Sequence, residues 1–409
     1  MNSYFGIITL GAINLFERTA LYILMGIIIK YMNSSLGLSY SEAGTLYSIF
    51  YASTYVPVIF SGLIGDFTKR KTLILIGIIT MVVGYIMLST PLSDSSAIFP
   101  GLLVIIGVGS GILKPNIMVA FGNSTDDNSN KKYIGFIVYS ISSSIAALIT
   151  VLVSGYLTEI IGMKGMFILS LVSVIIATAL FFVMSKMFAN TLDTYKSNRM
   201  LPPKINKSSN LLILLSVLIL ISPLVTVVNQ SGISFNLISS DLSSQLGNLM
   251  SKSMILNPIS GMIAGVIIFF IILQLNKRIK LFKIISLGLL IYAIAYIILT
   301  TGIGIYDTNV SFLFFAFPVI MTAIGEVLLY PAILTSVHGS APTKLRGLFI
   351  GIYLALFGMS NFMLGKFIEL YYRHGNTTYL IVIALLLTGF AVVFFVLNII
   401  NNKTLKYIR

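Results

Sequence analysis

Four ionisable residues lie deep inside long apolar runs: Glu17 and Arg18 side by side, then Lys114 and Glu326. A charge at the centre of a membrane-spanning helix costs roughly 2.5–3.5 kcal/mol on insertion scales, so such groups face protein or water and not lipid. One reading of Glu17–Arg18 is a structural ion pair that fixes helix packing. The other is a site for a charged ligand or a proton, and intramembrane ionisable groups generally mark such pathways. The set holds two acids and two bases. A zwitterion would fit it lengthwise, with its carboxylate facing Arg18 and Lys114 and its ammonium facing Glu326. Protonating Glu17 would release Arg18 or Lys114 for the ligand, which would link proton and ligand occupancy.

Other chemistry is excluded by composition. The chain has no Cys, hence no disulfide, thiol nucleophile or thiolate metal site, and its two histidines, His338 and His374, are too few for a His-based metal cluster. No nucleophile–base set stands out, so neither catalysis, a cofactor nor a metal is expected. The 409 residues are 57% apolar and 9% charged, against about 25% charged in soluble chains, which implies an all-α polytopic membrane protein. The first apolar run is long and carries charges, so it reads as a retained first helix and not as a cleaved leader.

Polar groups with helix-loosening neighbours accompany the four ions. These are Asn229-Gln230-Ser231-Gly232 and Asn257-Pro258, readable equally as bends, interhelical hydrogen bonds or ligand contacts. Tyr47, Tyr51 and Tyr55 follow at four-residue spacing and give one helix face three phenols, either a packing stripe or the wall of a polar cavity. Gly107-Val108-Gly109-Ser110-Gly111-Ile112-Leu113-Lys114-Pro115-Asn116 lets a neighbouring helix approach and bends at its proline. Its glycines do not form a phosphate loop, since no GK[ST] follows and no strand precedes it. Lys114 lies too deep to snorkel.

Apolar periodicity places these residues on twelve predicted helices at about 5–32, 43–65, 73–91, 97–121, 133–160, 165–188, 209–236, 249–275, 281–301, 309–337, 348–372 and 378–400. Nineteen of the 26 Lys and Arg fall in the even-numbered loops and the C-terminal tail. The positive-inside rule then puts both termini in the cytoplasm, and the net charge of +14 becomes a topology signal and not a nucleic-acid footprint. The longest polar break, 190–210, contains Pro202-Pro203 and divides the chain into six-helix halves, 1–189 and 211–409. Gly109 and Pro115 repeat as Gly325 and Pro331 at an offset of 216 residues. Two repeated halves resemble the architecture of the major facilitator superfamily, whose sites lie near the membrane midplane. Gly62-Leu63-Ile64-Gly65-Asp66-Phe67-Thr68-Lys69-Arg70-Lys71 resembles that superfamily's loop motif between helices 2 and 3, with Asp66 suited to accept from a neighbouring helix N-terminus.

Taken together, Glu17-Arg18 with Tyr22, Lys114-Pro115-Asn116, Asn257-Pro258, Gly325-Glu326 through Pro331, Ala341-Pro342 and Arg346-Gly347 resemble the proton-dependent oligopeptide transporter family. The resemblance implies proton-coupled uptake of di- and tripeptides by alternating access. It implies Arg18 and Lys114 at the peptide C-terminus, Glu326 and Asn257 at its N-terminus, and Glu17, with Arg18 and Lys114, in proton coupling. Tyr22, Tyr51, Tyr55, Asn229 and Ser144 complete the expected substrate-binding set. The chain departs from the family pattern at Asn14, Thr19 and Leu21 on the first helix, at Asn229 in place of a helix 7 acid, and at Ser144 in place of an asparagine. The expected protein is a monomeric symporter of the prokaryotic plasma membrane whose partners are a short peptide, protons and the lipid bilayer. The alternatives are a transporter of the same fold for another small zwitterion or organic anion, or a drug exporter, with altered or lost coupling. A channel lacks support, since no filter repeat is present.

Overall fold

The structure, a computed structural model, describes residues 3–125, 129–187, 208–230, 234–235, 255–275, 279–306, 312–362 and 364–406. The predicted linker at 190–210 lies almost wholly outside the described residues, as do Ser231 and Gly232. The fold is all-α, and no strand occurs among the described residues. The helices are α1 (Ser3–Ser34), α2 (Tyr40–Tyr55), α3 (Pro57–Phe67), α4 (Arg70–Leu88), α5 (Phe99–Asn123), α6 (Ser129–Met187), α7 (Ser208–Val228), α8 (Leu256–Gln274), α9 (Leu281–Tyr306), α10 (Phe312–Ser340), α11 (Arg346–Phe362) and α12 (Leu364–Lys406). Ten helical segments among the described residues are long and apolar enough to span a bilayer, and the Leu214–Val228 part of α7 is a shorter apolar stretch.

Local sequence explains the breaks. Past the end of α1, Gly37 adopts φ 68° while Leu38 N–H bonds back to the Met32 carbonyl, a left-handed stop that glycine takes without strain. Ser39 and Glu42 then form a reciprocal capping box that starts α2. Pro57 interrupts the second span because it has no N–H to continue the ladder, so α2 and α3 are two pieces of one segment. The fifth and sixth predicted runs join in α6 through a single residue, Gly162 (φ 68°), and α12 turns in the same way at Gly375 (φ 80°).

By contact, the chain divides into two compact units. Unit 1 comprises Met1–Ile213 with Val337–Ala355, and unit 2 comprises Leu214–Ser336 with Leu356–Arg409. Within unit 1, Asp66 caps the start of α11, its Oδ1 accepting from Gly347 N–H and its Oδ2 from Leu348 N–H, each at 2.8 Å. Arg70 donates to Asp66 at 2.8 Å and to the Asn116 side-chain oxygen at 2.9 Å. Gly62 and Gly347 touch backbone to backbone there, which a Cβ on either would prevent.

The internal repeat appears as helix packing. In unit 1 a Cβ at Gly109 would lie 2.8 Å from the Gly77 carbonyl, and one at Gly77 would lie 2.8 Å from the Gly109 carbonyl. In unit 2 Gly325 and Gly288 form the same reciprocal approach at 3.0 and 3.1 Å. Small residues at such contacts let dispersion hold helices together where no hydrophobic force separates protein from lipid. The outer face of α4 is correspondingly apolar, with Ile76, Ile79, Val83 and Ile86 all exposed. Gly109→Leu should therefore destabilise the fold by about 1–3 kcal/mol or more through overpacking. Gly101→Leu on the same helix meets nothing within 4 Å and should be neutral. Thermal unfolding of the detergent-solubilised variants checks both.

Candidate functional site

The charged groups of unit 1 are brought together by helix packing around α5. Cβ atoms at Gly107 and Gly111 would meet Phe50 and Thr54 carbonyls at 3.1 and 3.0 Å, so α5 lies directly on the α2–α3 segment. That approach sets the Lys114 ammonium 4.5 Å from the centre of the Tyr55 ring, a cation–π contact in an apolar setting. Lys114 is buried, yet among the described residues it has no hydrogen bond or ion pair, and its Nζ is not sealed from solvent.

On α1, Arg18 Nε lies 3.3 Å from Glu17 Oε2. The other Glu17 oxygen accepts from the fully buried Ser110 hydroxyl of α5 at 3.0 Å. Arg18 Nη2 donates to the Tyr139 hydroxyl of α6 at 3.1 Å, while its Nη1 takes no partner among the described residues and remains accessible. Tyr22 and Tyr55 lie within electrostatic reach of Arg18, as does Lys114. The tyrosine stripe forms as expected, with Tyr51 and Tyr55 rings 4.9 Å apart and their hydroxyls bonded at 3.4 Å. The arrangement is thus an ion pair whose cation, Arg18, keeps an open donor, with a second open cation, Lys114, within electrostatic reach, a setting suited to an incoming carboxylate.

Unit 2 holds its own deep charge. Glu326 on α10 accepts from the Tyr292 hydroxyl of α9 at 2.8 Å. Asn229, just past the end of α7, accepts from the Tyr330 hydroxyl at 3.1 Å. Asn257, at the start of α8, and Ser144, on α6, are half-buried and make no side-chain hydrogen bond among the described residues. Gln230 belongs to a buried network, accepting from Tyr379, whose hydroxyl also bonds Ser234.

Some residues central to this geometry were not read from the sequence. Ser110 precedes Lys114 by one helical turn and Tyr330 follows Glu326 by one, so helical spacing carried a signal for both. Tyr139 and Tyr292 carried none, since a tyrosine in an apolar run has many uses. Asn14, where the family pattern has an acid, is a structural link, donating to Ser142 and Ser143 at 2.7 and 3.1 Å.

This is a multi-pass helical protein with charged groups held open inside the membrane span, the class of integral membrane transporters. The Major Facilitator Superfamily description matches residues 10–365, and the chain belongs to that superfamily. It is similar to a dipeptide and tripeptide permease A of Klebsiella pneumoniae (strain 342), 30% identical over 40% of this chain and 33% of that protein. A di-/tripeptide transporter of Lactococcus lactis subsp. lactis (strain IL1403) is also 30% identical, over 37% of this chain and 31% of the relative. The chain thus spans about a third of the length of the curated relatives it matches. Its fold is that of solved POT family transporters. One in complex with 5-aminolevulinic acid superposes with a TM-score of 0.71 at 18% identity, covering 96% of both chains. A second, in complex with a thioalcohol-conjugated peptide, gives 0.68 at 19% identity, covering 96% of this chain and 95% of that one. The family resemblance read from the short motifs is therefore supported along the sequence and in the fold.

The Glu17–Arg18 pair should be destabilising to break from one side only. Glu17→Gln should cost about 3 kcal/mol by stranding the Arg18 charge. The double variant Glu17→Gln/Arg18→Leu should be more stable than the sum of the single effects, as a thermal-unfolding double-mutant cycle would read.

Proposed function

We propose that this protein is a proton-coupled symporter of di- and tripeptides, working by alternating access in the plasma membrane and moving substrate into the cytoplasm. The observation that carries the reading is the pair of cations, Arg18 and Lys114, that keep accessible donors in an apolar helical setting where open charge is costly. Their role is to take the peptide carboxylate, with Tyr22, Tyr51 and Tyr55 as walls and hydroxyl donors and Ser144 as a further polar contact. Glu326 takes the peptide ammonium, assisted by Asn257 and Asn229. Glu17, bonded to Arg18, provides coupling: a proton on Glu17 weakens its hold on Arg18 and frees the guanidinium or Lys114 for substrate.

The proposal includes two six-helix bundles, 1–189 and 211–409, joined by a cytoplasmic linker at 190–210, both termini cytoplasmic, and a monomer that needs no cofactor and performs no catalysis. One observation favours a second reading. Asn14 and Asn229 are amides engaged with hydroxyls, so neither can carry a proton. A transporter of another small zwitterion or organic anion, with altered coupling, fits those amides equally.

Proteoliposome uptake separates the two. Labelled dialanine should accumulate faster under an inward pH gradient than without one. Lys114→Ala and Glu326→Gln should each reduce driven uptake at least tenfold, the scale of a lost charged contact, while folding stays near normal. Gradient-independent uptake would remove coupling, wild-type rates in either variant would remove the zwitterion assignment, and absence of dialanine uptake would favour the second reading.

A further inference from the structure

Carboxylates among the described residues separate by what neutralises them. In unit 1, Glu17 has Arg18 at 3.3 Å, Asp66 has Arg70 at 2.8 Å and Asp94 has Lys164 at 2.6 Å. Glu42 closes an exposed capping box, and Glu159 is exposed. In unit 2, Glu369 pairs with Arg373 at 2.6 Å near the surface. Glu326 differs from all of these. It is half-buried, has no cation within ion-pair distance among the described residues of its unit, and accepts one bond, from a neutral phenol.

That phenol is held rigidly. Tyr292 is fully buried, and its ring fills the space that the missing side chain of Gly325 leaves, where a Cβ would lie 2.6 Å from Tyr292 Cδ2. The residue next to Glu326 is thus a glycine because the ring that serves Glu326 occupies its place. Tyr296, one turn along α9, is committed elsewhere, to Ser234 at 3.1 Å. The neutral phenols Tyr330, on the helix of Glu326, and Tyr296 lie within electrostatic reach of Tyr292. Oε2 of Glu326 takes no bond among the described residues and is not sealed from solvent.

We propose that Tyr292 is the positioning residue of the Glu326 site: its fixed donor engages Oε1, holds the group as a carboxylate, and leaves Oε2 to meet either a substrate ammonium or a proton, one excluding the other. A proton arriving from water at Oε2 gives the neutral acid, which no longer attracts an ammonium. Donation from Tyr292 to Oε1 opposes that step, because it stabilises the anion more than the acid. The ammonium role rests on the peptide reading above, whereas the Tyr292–Glu326 pairing does not.

The test therefore starts without substrate. Infrared difference spectra of the purified full chain, titrated with acid, should show a carboxylic C=O band that Glu326→Gln abolishes. In Tyr292→Phe that band should half-appear about one pH unit or more higher than in the wild type, the scale of a lost charge-assisted hydrogen bond. Tyr296→Phe should leave it in place. An unmoved band in Tyr292→Phe, or an equal shift in Tyr296→Phe, overturns the proposal. Dialanine uptake supplies the second readout. Tyr292→Phe should raise KM several-fold at pH 5.5 and less at pH 8, with kcat little changed. If the wild type does not transport dialanine while the band shifts as stated, the peptide reading fails and the positioning role stands.

Discussion

An uncompensated charge in an apolar helix bundle is expensive, and the buried ions of the site and its surroundings, among the described residues, answer to that cost. The answers are of two kinds. Asp66 is closed, with both oxygens engaged by backbone N–H groups and Arg70 beside it. It serves the packing of α11. Arg18, Lys114 and Glu326 are open, each held by one or two protein contacts with a polar atom left accessible. A fold does not keep open charges for stability, since replacing them by apolar groups is generally neutral or favourable. Their openness is the observation on which the proposed transport role rests.

Glycines make the open charges possible. Close approach at Gly107 and Gly111 sets Lys114 against Tyr55, and the cradle at Gly325 fixes Tyr292 against Glu326. In both units the ion follows a glycine contact by a few residues, so the residues that pack the helices also aim the chemistry. The repeat at Gly109 and Gly325 thus has a counterpart in packing, with Lys114 on the helix of one unit and Glu326 on that of the other.

Membership of the major facilitator superfamily fixes the class of protein but not its cargo. Here the amides matter. Asn14 ties α1 to α6 through two serines, and Asn229 takes the Tyr330 hydroxyl. Both positions act as hydrogen-bond links, and neither amide can take up a proton in the coupling proposed above.

Much was legible beforehand. Apolar runs of about 20 residues, the basic loops, the glycine–proline repeat and the four deep ions follow from periodicity and the cost of charge, which are local properties of the chain. Asp66 as a helix cap was also readable, because a carboxylate beside close-packing glycines has few other uses. The partners were not readable. That Ser110 serves Glu17, Tyr139 serves Arg18 and Tyr292 serves Glu326 depends on which faces of different helices meet. The same holds for Val337–Ala355 packing in unit 1 although it comes late in the chain. The sequence by itself determined which segments are apolar helices long enough to span a bilayer and which charges need compensation. Only the tertiary structure decided what compensates each charge and which charge is left open, because a hydrogen bond between residues a hundred positions apart is set by helix rotation and approach, and no local pattern encodes either.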